Sequence, residues 1–78
     1  MPQVTVYSPP QCPQFIQAKQ FLEAQGIAFV WHDVGADKAK ADEMVEKSGW
    51  RGVPVLEING IILGGFDRDA VKRALKLA

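Results

Sequence analysis

Val4-Thr5-Val6-Tyr7 is β-branched or aromatic and alternates apolar with polar, which predicts a first strand. From Pro13 to Gln25 the period changes. Phe15, Ala18 and Leu22 share one stripe, with Ile16 and Phe21 beside it, while Gln17, Lys19, Gln20 and Glu23 lie mainly elsewhere, as in an amphipathic helix. Gly26 predicts its end, since glycine readily takes the left-handed backbone of a C-terminal cap. Ile27 to Val34 reads as a second strand rich in β-formers. Strand, helix and strand in about thirty residues make a βαβ unit, so the two strands are expected to be parallel with a right-handed crossover.

After Gly35 a second helix is expected from Asp37 to Ser48, closed by Gly49. Its apolar stripe, Ala41, Met44 and Val45, is narrow, and its other face is charged. Trp50-Arg51-Gly52 then leads to a third strand, Val53 to Ile58. Asn59-Gly60 is a strong two-residue hairpin signal, so Ile61-Ile62-Leu63 should return antiparallel until Gly64-Gly65 breaks the strand. Asp67 suits the N-cap of a last helix whose stripe is Val71, Ala74 and Leu75. The order is βαβαββα, an α/β domain with a four-stranded mixed sheet. Helices should cover both faces, because the strands are apolar almost throughout. No linker, repeat or low-complexity segment divides the chain, so residues 1–78 read as a single domain.

Composition narrows the function. Seventy-eight residues with 47% apolar content form a small globular chain, near the size where core burial barely outweighs chain entropy. Nine basic and nine acidic residues cancel, which removes any general attraction for nucleic acid or anionic lipid. The charges from Asp37 to Lys47 alternate in sign and read as a solvated helix face. No apolar run is long enough to cross a membrane, and the N-terminus lacks a secretion signal, so a cytoplasmic location is expected. One cysteine cannot close an internal disulfide, and one cysteine with one histidine does not fill a coordination sphere, so no metal is expected.

That cysteine is the candidate for chemistry. Cys12 stands where a strand turns into a helix, with Pro13 at the first helical position. Free N–H groups and the positive end of the helix dipole there favour an anion, and the thiolate is the form that attacks a disulfide. A lone cysteine is more often a small buried apolar residue. Here Pro9, Pro10 and Pro13 mark a tight turn and Gln11 and Gln14 make it polar, which favours a reactive thiol. His32, the only histidine, sits in an apolar strand with no partners for a triad and reads as structural or surface. Trp31 and Trp50 read as packing residues, Trp50 also as a border of a substrate groove.

Taken together, these segments identify the chain as similar to a glutaredoxin, a small member of the thioredoxin-fold family, from about Val4 to Leu75. Three stretches carry the resemblance: Tyr7 followed after four residues by Cys12-Pro13; Gly52-Val53-Pro54-Val55, which resembles the segment bearing the family's cis-proline; and Gly64-Gly65-Phe66-Asp67 after a short hairpin, close to the family's glycine–glycine–aromatic–aspartate signature. The resemblance implies a thiol–disulfide oxidoreductase, active in electron transport, that uses glutathione as co-substrate. It implies Cys12 as nucleophile on a mixed disulfide between glutathione and a substrate thiol. It also implies that the Val53 main chain beside Pro54 binds the glutathione backbone, and that Gly65, Phe66 and Asp67 hold the γ-glutamyl end. The partners implied are glutathione and a glutathionylated or disulfide-containing protein, with the chain acting as a monomer.

Departures from the pattern shape the mechanism. Within the active-site motif Cys12-Pro13-Gln14-Phe15, Phe15 stands where the second cysteine belongs, so turnover would need a second external thiol, the monothiol route. Phe15 also fits the apolar stripe of the first helix, and a packing role is favoured. Pro9 occupies the place of a frequent glutathione-binding lysine and Gln14 that of a frequent aromatic residue; Arg51 could supply a replacement charge. Ser48-Gly49-Trp50-Arg51 also resembles NrdH-type redoxins, which take electrons from thioredoxin reductase and pass them to ribonucleotide reductase through two cysteines. The Cys-Gly-Phe-Ser motif of cluster-bridging monothiol glutaredoxins is not matched. A non-catalytic binding module on the same fold is the remaining alternative.

Overall fold

The computed structural model describes residues 3–76. The expected order is observed: β1 (Val4–Tyr7), α1 (Pro13–Ala24), β2 (Val30–His32), α2 (Lys38–Ser48), β3 (Val55–Ile58), β4 (Ile61–Gly64) and α3 (Arg68–Leu75). The strands form one sheet in the order β2-β1-β3-β4. β1 pairs parallel with β2 and antiparallel with β3, and β3 pairs antiparallel with β4.

The register sorts side chains onto two faces. Val4 lies opposite Ile58 and Val6 opposite Leu56, and these four join Phe15, Ala18, Phe21 and Leu22 of α1 and Val71, Ala74 and Leu75 of α3 in one buried cluster. The alternate positions face α2, where Tyr7, Val55 and Met44 form a smaller cluster. Helices therefore cover both faces, but the α2 face is thinner and carries polar positions: Thr5 lies opposite Glu57 in the register. Strand alternation makes this division unavoidable, since successive side chains point to opposite sides.

Element ends follow local chemistry. The side chain of Asp37 accepts from the Lys40 N–H at 3.2 Å, and Gly49, in the left-handed region at φ 69°, ends α2. Asn59 and Gly60, with φ of 51° and 86°, make the tight turn between β3 and β4. Such a turn needs positive φ at both central residues, which asparagine and glycine tolerate best.

Three expectations are corrected. β2 spans three residues, not Ile27 to Val34: the Ile27 N–H donates to the Leu22 carbonyl at 2.9 Å, which keeps it with the end of α1. At the other end the Asp33 carboxylate accepts from the N–H groups of Gly35 and Ala36, which turns the chain away. β3 begins at Val55 rather than Val53, because Pro54 has no N–H for a ladder; the Val53–Pro54 bond is cis. Ile16, beside the α1 stripe, is 45% exposed.

Candidate active site

Ser8, the residue after β1, is completely buried. Its N–H donates to the His32 carbonyl at 3.1 Å, and its own carbonyl accepts from the Trp31 indole N–H at 2.9 Å. These bonds moor the start of the proline turn to β2. The Cys12 N–H donates to the Pro9 carbonyl at 3.4 Å, closing the turn and setting Cys12 as the N-cap of α1. Its backbone is extended, with φ −70° and ψ 120°, and its carbonyl accepts the first helical bond, from Ile16 at 3.1 Å.

Cys12 is half-buried, packs against the main core, and its side chain makes no capping bond. Pro13 brings no N–H, so Gln14 and Phe15 carry the first N–H groups of the helix, which have no carbonyl one turn back to bond. A negative charge on the sulfur would meet those groups and the positive end of the helix. The site can therefore present a nucleophilic sulfur in a favourable field.

Phe15 is buried in the main core and stacks on Trp31, with ring centroids 5.2 Å apart and planes 22° from parallel. The packing role expected for it is what the structure contains. Trp31 is nevertheless 40% exposed, so it is part surface and part support. With Ile16, Lys19, Phe29 and Phe15 it lines an open groove of about 520 Å³ that Cys12 does not line.

The other segments expected at the site converge on one another. Pro54 is fully buried and its carbonyl accepts from the Gly65 N–H at 2.7 Å, while Val53 is half-buried against the smaller core. Gly65 takes φ 79°, a conformation that favours glycine. Phe66 is half-buried, 6.0 Å from the Phe21 ring. Asp67 caps α3 by accepting from the N–H groups of Asp69 at 3.0 Å and Ala70 at 3.4 Å. Arg51 is exposed and takes part in no ion pair among the described residues.

Three features escape the sequence. The exposed Gln14 reaches across to Phe66, whose N–H donates to its Oε1 at 2.9 Å over 52 residues of separation. The Trp50 indole lies across Gly52 and Gly64: a β-carbon at Gly52 would collide with it, and one at Gly64 would stand 3.0 Å from its Cε3. The third lies on the α2 face, where the buried Tyr7 hydroxyl donates to Glu43 Oε2 at 2.6 Å. Burial and then this bond raise the Tyr7 pKa, while the same hydroxyl holds the Glu43 carboxyl below its usual range. Lys47 pairs with Glu57 at 2.9 Å, which raises its pKa, and lies 6.0 Å from the Tyr7 ring. Nothing local in the sequence marks the partner of Tyr7 or the reach of Gln14.

Among the described residues no three of His, Cys, Asp and Glu come together as a metal site, and no helix is long and apolar enough to cross a membrane.

The glutaredoxin family profile matches residues 4–62. The chain belongs to the glutaredoxin family. A glutaredoxin-like 8.6 kDa protein of Clostridium pasteurianum, encoded in a rubredoxin operon, is 33% identical over 94% of this chain and 97% of its own. Among solved structures, the thioredoxin-like protein BC3987 superposes with a TM-score of 0.85 at 25% identity, covering 91% of this chain and 97% of its own. NrdH-redoxin from Escherichia coli, a glutaredoxin-like protein with a thioredoxin-like activity profile, superposes with a TM-score of 0.79 at 27% identity, covering 91% and 92%. The architecture of this glutaredoxin is thus the thioredoxin-like fold.

Proposed function

We propose that this glutaredoxin is a monothiol thiol–disulfide oxidoreductase acting on glutathione mixed disulfides. The observation that supports it most is Cys12 at the uncapped start of α1, its sulfur free of any capping bond, with Phe15 rather than a second thiol one turn on. In the first step the Cys12 thiolate attacks the glutathione sulfur of the mixed disulfide. The substrate leaves as a thiolate and takes a proton from solvent, and Cys12 becomes glutathionylated. A second glutathione, as thiolate, then attacks the glutathione sulfur on Cys12. Glutathione disulfide leaves, and Cys12 is again a thiolate. In sum, the mixed disulfide and one free glutathione become the substrate thiol and glutathione disulfide, and no internal disulfide forms. On this reading the Val53 main chain would pair with the glutathione backbone, and the N–H groups from Gly65 to Asp67 would receive its γ-glutamyl carboxylate beside the start of α3. The protein would work as a monomer in the reducing cytoplasm.

Purified protein supplied with glutathione should deglutathionylate a peptide well above the buffer rate, and Cys12→Ser should not. A wild-type rate equal to buffer sinks the proposal. The likeness to NrdH-redoxin and the segment Ser48-Gly49-Trp50-Arg51 support a second reading, an electron donor reduced by thioredoxin reductase. That cycle needs two thiols, so Phe15→Cys should gain reduction by thioredoxin reductase if it holds.

A further inference from the structure

Gln14 is exposed, sits two residues after Cys12 on the first turn of α1, and spends its carboxamide oxygen on the N–H of Phe66 at 2.9 Å. The same oxygen would stand 3.3 Å from a β-carbon at Gly65, so it lies directly over the Gly65–Phe66 backbone. Gly65 has already given its own N–H to Pro54, and Asp67 covers the N–H groups of Asp69 and Ala70. The Phe66 N–H is therefore an outward-facing donor in this stretch, and the protein's own side chain occupies it.

We infer that Gln14 is a specificity-determining residue that holds the Phe66 N–H against glutathione. The inference rests on the proposed glutathione reading and deepens it. A γ-glutamyl carboxylate that needs the Phe66 N–H must first displace the Gln14 carboxamide. A mixed disulfide whose leaving group lacks a γ-glutamyl arm does not meet this competition. The contact thus weakens binding of glutathione selectively, without touching the sulfur chemistry. Because the bond is exposed and neutral, the penalty is that of an ordinary hydrogen bond, which corresponds to about a 3- to 10-fold loss of apparent affinity. Methionine at position 14 keeps the length of the side chain and removes the strong acceptor; glutamate keeps the acceptor and adds a charge that also repels an incoming carboxylate.

The test combines binding and turnover. S-methylglutathione, which cannot exchange disulfides, is titrated into wild type, Gln14→Met and Gln14→Glu while the Phe66 amide is followed by NMR. Its Kd should fall about 3- to 10-fold in Gln14→Met and rise in Gln14→Glu relative to wild type. In turnover, KM for a glutathionylated peptide should follow the same order with kcat little changed. The same peptide carrying a mercaptoethanol mixed disulfide should show one KM for all three proteins. Equal Kd values across the variants, or no binding by any of them, overturn the inference. So does a shift of equal size with the mercaptoethanol substrate, which would mean that Gln14 merely supports the helix start. Failure of wild type to turn over the glutathionylated peptide defeats the broader reading instead, and the binding series still judges Gln14.

Discussion

The three helices begin in different ways. α2 and α3 start from aspartates, Asp37 and Asp67, whose carboxylates accept from backbone N–H groups of the first turn. α1 starts from Cys12, whose thiol caps nothing, and follows it with a proline. Two starts use their N-cap side chain to stabilise the fold; the third leaves its first N–H groups available for a negative sulfur. On the proposed function, the difference marks where this small domain gives up stability for chemistry, since a capping side chain in place of Cys12 would be a better helix start but not a redox thiol.

Substitutions at these starts can break the comparison. The largest effect is expected from Cys12→Ser, which should lower deglutathionylation at least 100-fold without destabilising the fold, since no capping bond is lost and the serine hydroxyl can supply one, for a gain of up to about 1 kcal/mol. A loss of stability of about 1 kcal/mol or more would mean that the thiol is structural. Asp67→Ala should remove a working cap and lower stability by about 1 kcal/mol in urea unfolding. Asp37→Ala should do the same at α2 without affecting turnover. Cys12→Asp should reverse the sign: a carboxylate can accept from the Gln14 and Phe15 N–H groups, so the inactive variant should gain about 0.5–1 kcal/mol. No gain would show that the helix start is already satisfied in some other way.

The smallest effect belongs to the thin α2 face. Glu43 is held below its usual range by the Tyr7 hydroxyl, so its contribution to stability is present above its unfolded pKa, about 4.3. That contribution is lost as pH falls through the depressed folded value. Glu43→Gln should therefore lower stability slightly at neutral pH and leave it unchanged below the depressed folded value, so that the acid limb becomes flatter. An unaltered acid limb would exclude the Tyr7–Glu43 bond as its source.

Much of this was legible in the sequence, for local reasons. Asn59-Gly60, Gly49 and Asp67 each dictate a backbone conformation or a cap within a few residues, and the Val4–Tyr7 alternation fixes which face each side chain takes. β2 is shorter than its composition predicts because Ile27 is drawn to the end of α1 by one backbone bond that composition cannot signal. Trp31 and Ile16 are apolar yet surface-facing for a related reason: periodicity names the stripe but not its edges. Within the site, Cys12 and the segments around Pro54 and Gly65 could be named in advance, while the Gln14–Phe66 bond depends on two ends of the chain meeting. The partners of Tyr7 were equally hidden, since Glu43 looks like any exposed helix charge.

Phe15 has a consequence for how the protein would register its surroundings. With a buried aromatic ring where a second thiol would stand, the only disulfide Cys12 can form is with another molecule. On the proposed function, its exchange with glutathione disulfide would release a single glutathione, so the fraction modified would depend on the ratio of disulfide to thiol in the pool and not on the size of the pool. A dithiol protein releases two and responds to both. Diluting a glutathione buffer tenfold at fixed ratio should leave the glutathionylated fraction of this protein unchanged, making it a gauge of proportion rather than of amount.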